Sequence, residues 1–310
     1  MSATPDPDRA PPGRDPAAPS TPSLSAWRAL ADGVHVCVAE PATVNLGLVV
    51  GSTGALLVDT GSTPEQGRAL RAFVAEVTDL PLVAVVVTHW HHDHAFGLAA
   101  FDDLLTIGHE SLADRLRSPE AAAAAQGLGF EAGELRPPRR GLAVAASVDL
   151  GDRRVEIAHL GAGHTEGDLV VVVADADLVF AGDLLESAGA PWWGPDSVAM
   201  EWASTLDGVI GLMTGATRAI PGHGDPVDRE FVFDARGRAA AVSGELIRLA
   251  EAGVAQAQAL ESGHWPYPPE HVAAGIAPAY AALAERGVLA ERGVSAEREV
   301  RGRRPTLPLA

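Results

Sequence analysis

The sequence predicts an α/β protein made of two similar halves, each a β-sheet with helices on its outer side. Short apolar segments follow one another from Gly33 onward, and helical patterns interrupt them. The same alternation begins again near Leu142, after a variable middle region. With 310 residues and a hydrophobic content of 47%, the chain is long enough to bury a sizeable core.

The first half consists of predicted strands, a helix and one further strand. The strands correspond to VHVCVAE, VNLGLVVG and ALLVDTG, and the later strand corresponds to PLVAVVVTH. Between them, Thr63 is predicted to cap a helix that has Pro64 at its first position and Gln66 three residues after the cap. Apolar residues at helical spacing between Leu70 and Val77 support this helix.

The second half repeats this order. Strands are predicted at LAVAASVDL, RRVEIAHLG and DLVVVVADADLVFAGD, where the central DAD favours a hairpin. A helix is expected from about Trp202 to Met213, then the short strand RAIPGHG, and more helices over about 235–261 and 269–285. The predicted organisation is a disordered N-terminal tail over 1–25, a main domain over 26–228, and a helical extension over 229–310 that packs on the same domain.

Composition argues against several classes of partner. The chain has 41 acidic and 23 basic residues, a formal net charge of -18 and no lysine, so its surface repels nucleic acid. Cys37 is the only cysteine, which excludes intramolecular disulfides and cysteine-rich zinc sites. Since neither a signal-peptide core nor a membrane-length apolar run is seen, we expect no membrane association and a cytoplasmic location. The oligomeric state is not indicated.

The stretch THWHHDHAFG, Thr88 to Gly97, holds four of the eleven histidines and Asp93 directly after a predicted buried strand. A tight loop leaving a strand can bring such side chains to one cavity. Farther along the chain, His164, Asp183 and His223 each follow a predicted strand and lie beside glycines. Nitrogen and carboxylate ligands without thiolate suit zinc, iron or manganese, so the ordered set predicts a metal site.

With this order of residues the chain resembles the metallo-β-lactamase superfamily over residues 33–227. The resemblance implies a four-layer αββα sandwich with two divalent metal ions at one edge, zinc in first place and iron or manganese as alternatives. It also implies that Asp93 and Asp183 take part in catalysis and that Asp59, in LLVDTG, supports the metal-binding loop. The implied ligands are His89, His91 and His164 for the first ion, Asp93, His94 and His223 for the second, and Asp183 for both.

The first motif departs from the family pattern in one place. Where the family often has Gly-Gly after the last histidine, this chain has Ala95-Phe96-Gly97, a change expected to affect local packing more than ligation. His92 and Trp90 occupy variable positions of the motif, so His92 is expected to be an exposed loop residue.

Candidate substrate contacts are fewer. Trp192 and Trp193 lie on a Pro- and Gly-rich loop after Asp183, where they could line a substrate pocket or anchor that loop to the C-terminal helices. Asn45, on the strand before VDTG, is a further pocket candidate. The arginines of the last residues are expected to form a solvated tail, with binding of an acidic substrate as the alternative. They are Arg301, Arg303 and Arg304.

The implied reaction is hydrolysis of a small molecule by a water held between two ions, which needs no serine or cysteine nucleophile. Asp183 supplies a carboxylate that lactam-hydrolysing members lack, and no export signal is seen. The resemblance is therefore closer to the glyoxalase-II-like and lactonase branches, and a thioester or lactone is the expected substrate. The alternatives are an iron-dependent oxidoreductase similar to persulfide dioxygenases, a phosphodiesterase or nuclease, and a non-enzymatic metal-binding protein, which missing ligands would indicate.

Overall fold

The computed structural model describes residues 22–288. Their strands form two sheets that are joined where Val44 pairs with His223. The strands are β1 Ser23–Leu24, β2 Arg28–Ala31, β3 Val34–Glu40, β4 Val44–Val50, β5 Ala55–Val58, β6 Leu82–Val86, β7 Leu105–His109, β8 Arg140–Leu142, β9 Ala145–Asp149, β10 Arg154–His159, β11 Leu169–Val173, β12 Leu178–Glu186 and β13 Arg218–His223.

The two sheets have related topologies. In the first sheet, β3, β4 and β5 pair antiparallel, and β5, β6, β7 and β8 then pair in parallel, while β1 and β2 extend β3. In the second sheet, β9 to β12 pair antiparallel, and β12 pairs in parallel with β13. The predicted hairpin is confirmed: β11 and β12 are joined through Asp177, which has a left-handed φ of 54°.

Helices cover the outer faces of both sheets. Helix α1 begins as predicted, because Thr63 accepts a hydrogen bond from the backbone N–H of Gln66. The helices are α1 Pro64–Phe73, α2 His92–Ala95, α3 Leu112–Arg115, α4 Pro119–Gly127, α5 Trp202–Leu212, α6 Arg229–Glu251, α7 Gln256–Ser262, α8 Pro269–Val272 and α9 Ile276–Glu285. Short 3-10 helices cover Val74–Glu76, Phe96–Phe101, Ala132–Glu134, Ala174–Ala176 and Ala273–Gly275.

Three apolar cores separate these layers. Strand β5 shows why, since Leu56 and Val58 point between the sheets whereas Leu57 points to the outer helices. A second outer core packs α5, α6 and α9 against the other sheet, with Trp202 and Leu246 among its members. The predicted αββα sandwich is therefore confirmed, and the helices after Arg229 form part of one of its outer layers.

Only part of the predicted domain organisation falls within the described residues. The predicted tail over 1–25 extends too far, because Ser23 and Leu24 already pair with β3. Residues 1–21 and 289–310 lie outside the described part of the chain, and with them the three C-terminal arginines. Within residues 22–288, none of the helices combines the length and apolar character needed to cross a bilayer.

Candidate metal centre

The seven predicted ligands meet at the edge where the two sheets join. All but Asp183, which lies inside a strand, are carried by the end of a strand or by the segment that follows it, so the sheets fix their backbone positions. His89 and His91 follow β6, Asp93 and His94 lie on α2, His164 lies between β10 and β11, Asp183 lies within β12, and His223 ends β13.

The side chains form two groups, and within each group the candidate ligand atoms lie within 4.8 Å of one another. The division follows the one implied by the sequence motif. The first group is His89, His91, His164 and Asp183, and the second is Asp93, His94 and His223.

Asp183 lies between the groups. One carboxylate oxygen, Oδ2, is 3.5 Å from Nε2 of His164 and 3.9 Å from Nε2 of His89. The same carboxylate contacts the second group, with Oδ1 3.2 Å from Nε2 of His94 and Oδ2 3.6 Å from Nε2 of His223. Asp183 is therefore placed to bridge two ions.

Gly222 makes this position of Asp183 possible. A Cβ atom at residue 222 would lie 1.7 Å from Oδ1 of Asp183, which is far inside van der Waals contact. The glycine before His223 is thus required by the close approach of a carboxylate from the neighbouring parallel strand.

His91 is oriented by a residue that sequence reasoning missed. Its Nδ1 atom faces the first group, 2.8 Å from Nε2 of His164, and its Nε2 atom lies 3.1 Å from Oδ2 of Asp196. The indole N–H of Trp90 donates to the same oxygen at 2.6 Å. Asp196 is the only acidic residue between Glu186 and Glu201, a signal that could have pointed to it.

His94 is oriented by Asp59, as the sequence predicts. Oδ2 of Asp59 is 2.8 Å from Nδ1 of His94, and the carboxylate also accepts hydrogen bonds from the backbone N–H and the hydroxyl of Thr88. Asp59 itself has a φ of 64°, a left-handed conformation that is uncommon for a residue other than glycine. Such local strain is maintained at functional sites when surrounding contacts fix the residue.

Two of the three imidazoles of the first group have lowered pKa values, and the third has a raised one. Burial lowers the pKa of His164 to about 4, and burial together with the neighbouring His94 lowers the pKa of His89 well below its usual range. For His91, burial opposes protonation, but the Asp196 carboxylate outweighs it and raises the pKa. The proton of His91 can stay on Nε2, facing Asp196, which leaves Nδ1 free to bind an ion.

The second group has the opposite electrostatic character. Burial alone would lower the pKa of His223, but the carboxylates of Asp183 and Asp93 outweigh burial and raise it to about 11. The same competition raises the pKa of His94 well above its usual range. Conversely, nearby imidazoles hold the pKa of Asp93 and Asp183 well below the usual range, although burial opposes this. A cation in this group would replace protons that the two histidines otherwise hold.

The donors present fit divalent metal ions. Nε2 of His94 and Oδ1 of Asp183 are buried and make no hydrogen bond, although they lie 3.2 Å from each other. Buried polar atoms without partners are costly, so their convergence is explained by a shared cation. Two His/Asp groups of this kind constitute a dinuclear site, and an all-nitrogen-and-oxygen donor set is compatible with zinc, iron and manganese.

The two tryptophans of the loop over residues 191–197 face different parts of the molecule. The ring of Trp192 lies 6.1 Å from the ring of His91, so Trp192 borders the metal centre. Trp193 is only 1% exposed and packs in the outer core, 4.3 Å from the ring of Trp202. Trp193 therefore anchors the loop to the outer core, which is the second of the two expected roles. It does not face the metal centre.

Asn45 holds the turn that carries His223. Its side-chain NH₂ donates to the backbone carbonyls of Pro221 and Gly224, at 2.9 and 2.8 Å. Both donor hydrogens are used to hold the turn that carries His223, and the prediction that Asn45 contacts substrate stays a prediction. Its position supports that ligand.

The remaining residues of the first motif follow the expectation from sequence only in part. Phe96 is 1% exposed and packs edge-on against Phe130 in the outer core, away from the ligands. Gly97 is needed because a Cβ there would lie 2.0 Å from the carbonyl oxygen of Thr60. His92 belongs to neither ligand group, but it is half-buried at the start of α2 and not an exposed loop residue.

Comparison with known proteins supports this site. A family model described as "Metallo-beta-lactamase superfamily" matches residues 39–223. The metallo-beta-lactamase type 2 of Bacillus cereus is 26% identical over 190 residues, which cover 60% of this chain and 70% of that protein. The human acyl-coenzyme A thioesterase MBLAC2 is 27% identical over 226 residues, which cover 61% of this chain and 76% of that protein.

Solved structures share the fold. The DIM-1 metallo-beta-lactamase superposes with a TM-score of 0.58 at 20% identity, covering 71% of this chain and 100% of that chain. A metallo-beta-lactamase from Pontibacter korlensis gives 0.56 at 19% identity, with 70% and 99% covered. By overall sequence identity, this chain is about as similar to the β-lactamase as to the thioesterase. The greater distance from β-lactamases that the motif suggested is therefore not seen in these comparisons.

Proposed function

The chain belongs to the metallo-β-lactamase superfamily, and we propose that it hydrolyses a thioester, or secondarily a lactone, in a small-molecule substrate. The assignment as a metallo-hydrolase does not depend on which bond is cleaved. It follows from the fold and from the two ligand groups of the dinuclear His/Asp site. The choice of bond rests on one observation, the position of Asp183.

Asp183 contributes a carboxylate to both ligand groups. Two divalent ions held by these groups would lower the pKa of a bound water towards neutrality and would polarise the bond that is attacked. A carboxylate at this position also leaves the centre without any thiolate ligand, because the only cysteine, Cys37, is buried in the outer core.

The residues of the chain have distinct tasks in such a reaction. The buried imidazoles and Asp183 would hold the ions, while Asp59 and Asp196 orient His94 and His91 from behind. Oδ2 of Asp93 lies 3.3 Å from Nε2 of His223, so Asp93, as a carboxylate, is placed to complete the second group and to accept a hydrogen bond near the reacting bond. We propose Asp93 and Asp183 as the residues closest to the chemistry and Asp59 as a positioning residue.

The similarity to acyl-coenzyme A thioesterases supports a thioester as the first substrate class. The similarity to β-lactamases makes a β-lactam a necessary comparison substrate. An iron-dependent oxidoreductase is the second candidate, because the same nitrogen and oxygen donors bind iron. Zinc is the ion that we propose for the hydrolase, since it is redox-inert and common with this donor set.

One experiment separates these candidates. Iron-free, zinc-loaded protein is assayed without oxygen on thioesters, lactones, a phosphodiester and a β-lactam, beside iron-loaded protein under oxygen. We expect zinc-dependent cleavage of a thioester or lactone. Turnover that occurs only with iron and consumes oxygen would assign the oxidoreductase function instead, and cleavage of only the β-lactam or the phosphodiester would show that the proposed bond is wrong.

A further inference from the structure

The turn that carries His223 has little stiffness of its own. His223 lies between Gly222 and Gly224, and Gly224 has a left-handed φ of 94°. Both glycines are required, because a Cβ at residue 222 would collide with Asp183 and a Cβ at residue 224 would collide with Ser187. Glycine restricts the backbone less than any other residue, so neither neighbour fixes the direction of the imidazole. The turn therefore needs support from outside its own segment.

The hairpin between β3 and β4 contacts this turn at consecutive residues. Val44 pairs with His223, which is the contact that joins the two sheets. The carbonyl oxygen of Thr43 lies 3.2 Å from Nδ1 of His223. Because a carbonyl can only accept, this contact keeps a proton on Nδ1 and leaves Nε2, which faces Asp93 at 3.3 Å, for an ion.

Asn45 holds the backbone on both sides of the ligand. Its side-chain NH₂ donates to the carbonyl of Pro221 at 2.9 Å and to the carbonyl of Gly224 at 2.8 Å. Asn45 is only 5% exposed, so water competes little for these carbonyls and each hydrogen bond is correspondingly strong. One amide thus fixes the positions before and after His223, where the glycines leave the chain free.

Thr43 has an unusual backbone conformation at this contact. Its φ of 56° is left-handed, which is rare for a β-branched residue. Such conformations persist only where the surrounding structure fixes them, and they cluster at functional sites. A change of φ at Thr43 would also change the direction of its carbonyl. The left-handed conformation is therefore part of the contact with His223.

We propose that Thr43 and Asn45 are positioning residues for the second metal ion, on which they act through His223. This inference rests on the proposed two-ion centre but not on the bond that is cleaved. The partners of His223 are neutral groups of a hairpin, whereas the outer nitrogens of His91 and His94 face carboxylates. The affinity of the second ion should depend on this hairpin, and the affinity of the first ion should not.

The test measures the affinities of both zinc ions by competition with a chromophoric chelator, and His223→Ala identifies the affinity of the second ion. Asn45→Ala removes both donors and should weaken the second ion by about ten-fold or more, while the first stays within about two-fold. Thr43→Pro cannot adopt a positive φ and should have a similar effect. Thr43→Gly retains access to the left-handed conformation and should keep both affinities.

Val49→Ala is the matched control for a general loss of stability. Val49 is a fully buried residue of the same strand, β4, and it pairs with Val34 and Leu56 and not with the turn. This variant should lower the melting temperature and leave both zinc affinities unchanged. A spectroscopic readout complements it: NMR of labelled imidazole nitrogens in zinc-loaded protein should show the proton of His223 on Nδ1 in wild type and Thr43→Gly, with loss of this signal in Thr43→Pro.

The outcomes separate this proposal from the two-ion centre itself. If Asn45→Ala retains both affinities, or if Val49→Ala lowers the second affinity equally, the positioning proposal is overturned and the centre stands. A raised KM in Asn45→Ala with unchanged zinc affinities would make Asn45 a substrate contact instead. If Asn45→Ala does not fold, the two Thr43 variants and the wild-type NMR signal decide, and a proton absent from Nδ1 of His223 overturns the proposal. If wild type binds no second zinc ion, the two-ion centre fails, and the proposal fails with it.

Discussion

The two halves of the metal centre are supported by different kinds of structure. His94 is held by Asp59, which is 2% exposed, follows strand β5 and is itself fixed by two hydrogen bonds from Thr88. His91 is held by Asp196, which lies on a loop and receives its second hydrogen bond from the indole of Trp90. The same chemical task, orienting an imidazole through its outer nitrogen, is done once by the sheet and once by a loop that also borders the site.

This difference separates metal retention from substrate recognition. The Asp59 contact lies behind the site and is independent of the loop that carries Trp192, whereas Asp196 shares that loop. Movement of the 191–197 loop would therefore disturb the first group and the substrate-facing wall together. The following variants measure how far the two halves act independently.

The largest effect is expected from Asp183→Ala, which removes the residue that both halves share. Because its carboxylate contacts histidines of both groups, metal content should fall from two ions per chain to one or fewer, and activity should fall by more than about 100-fold. Elemental analysis after dialysis measures this result, with His223→Ala as the comparison that should mainly empty the second group. Two ions retained in Asp183→Ala would show that this residue does not bridge.

Asp59→Ala should have the next largest effect and should act on the second ion. Removal takes away the carboxylate that orients His94 and leaves the buried backbone N–H of Thr88 unsatisfied, so second-ion affinity should fall by about 10- to 100-fold. The unsatisfied donor should also cost about 1–3 kcal/mol of folding stability. Metal titration and thermal unfolding of metal-free protein measure the two parts, and an unchanged melting temperature would contradict the structural part.

Asp196→Ala should lower the affinity for the first ion by a similar factor. It should cost less folding stability than Asp59→Ala, because the carboxylate is on a loop and fixes fewer buried groups.

Trp90→Phe removes only the indole N–H donor to Asp196. It should weaken first-ion binding by a few-fold, in the range of a single hydrogen bond. Competition with a chromophoric chelator provides both affinities. If Asp196→Ala lowered the affinity for both ions equally, the two halves of the metal centre would not be supported independently.

The smallest effect concerns pH. In metal-free protein the pKa of His223 is raised to about 11 and that of His94 is also raised, whereas His164 and His89 have lowered values. Protons therefore compete more strongly for the second group, and its ion should dissociate at a higher pH than the first as the solution is acidified. Calorimetric titration in buffers of different ionisation enthalpy should show more protons released per second ion than per first ion. Equal proton release would contradict this electrostatic difference.

Much of this centre could be predicted because its residues lie at recurring positions relative to strands. His89 to His94, His164 and His223 follow runs that are predicted as strands, and strand ends meet at one edge of a sandwich. Their division between two ions and the supporting role of Asp59 were expected from the resemblance to the metallo-β-lactamase superfamily and not from the strand pattern. The turn at Asp177 and the cap at Thr63 could also be predicted, because both depend on local backbone chemistry.

The sequence alone determined the layered α/β class, the presence of a His/Asp metal site and the absence of thiolate ligands, because periodicity and residue type carry that information. The composition of the two ligand groups was implied by the family resemblance. The tertiary structure decided which side of its loop each tryptophan faces, that Asn45 supports the turn at His223, and that Asp196 meets His91 across 105 positions of the chain. Irregular loops have no period from which side-chain direction can be deduced. Their contacts arise only when the two sheets and the C-terminal helices pack.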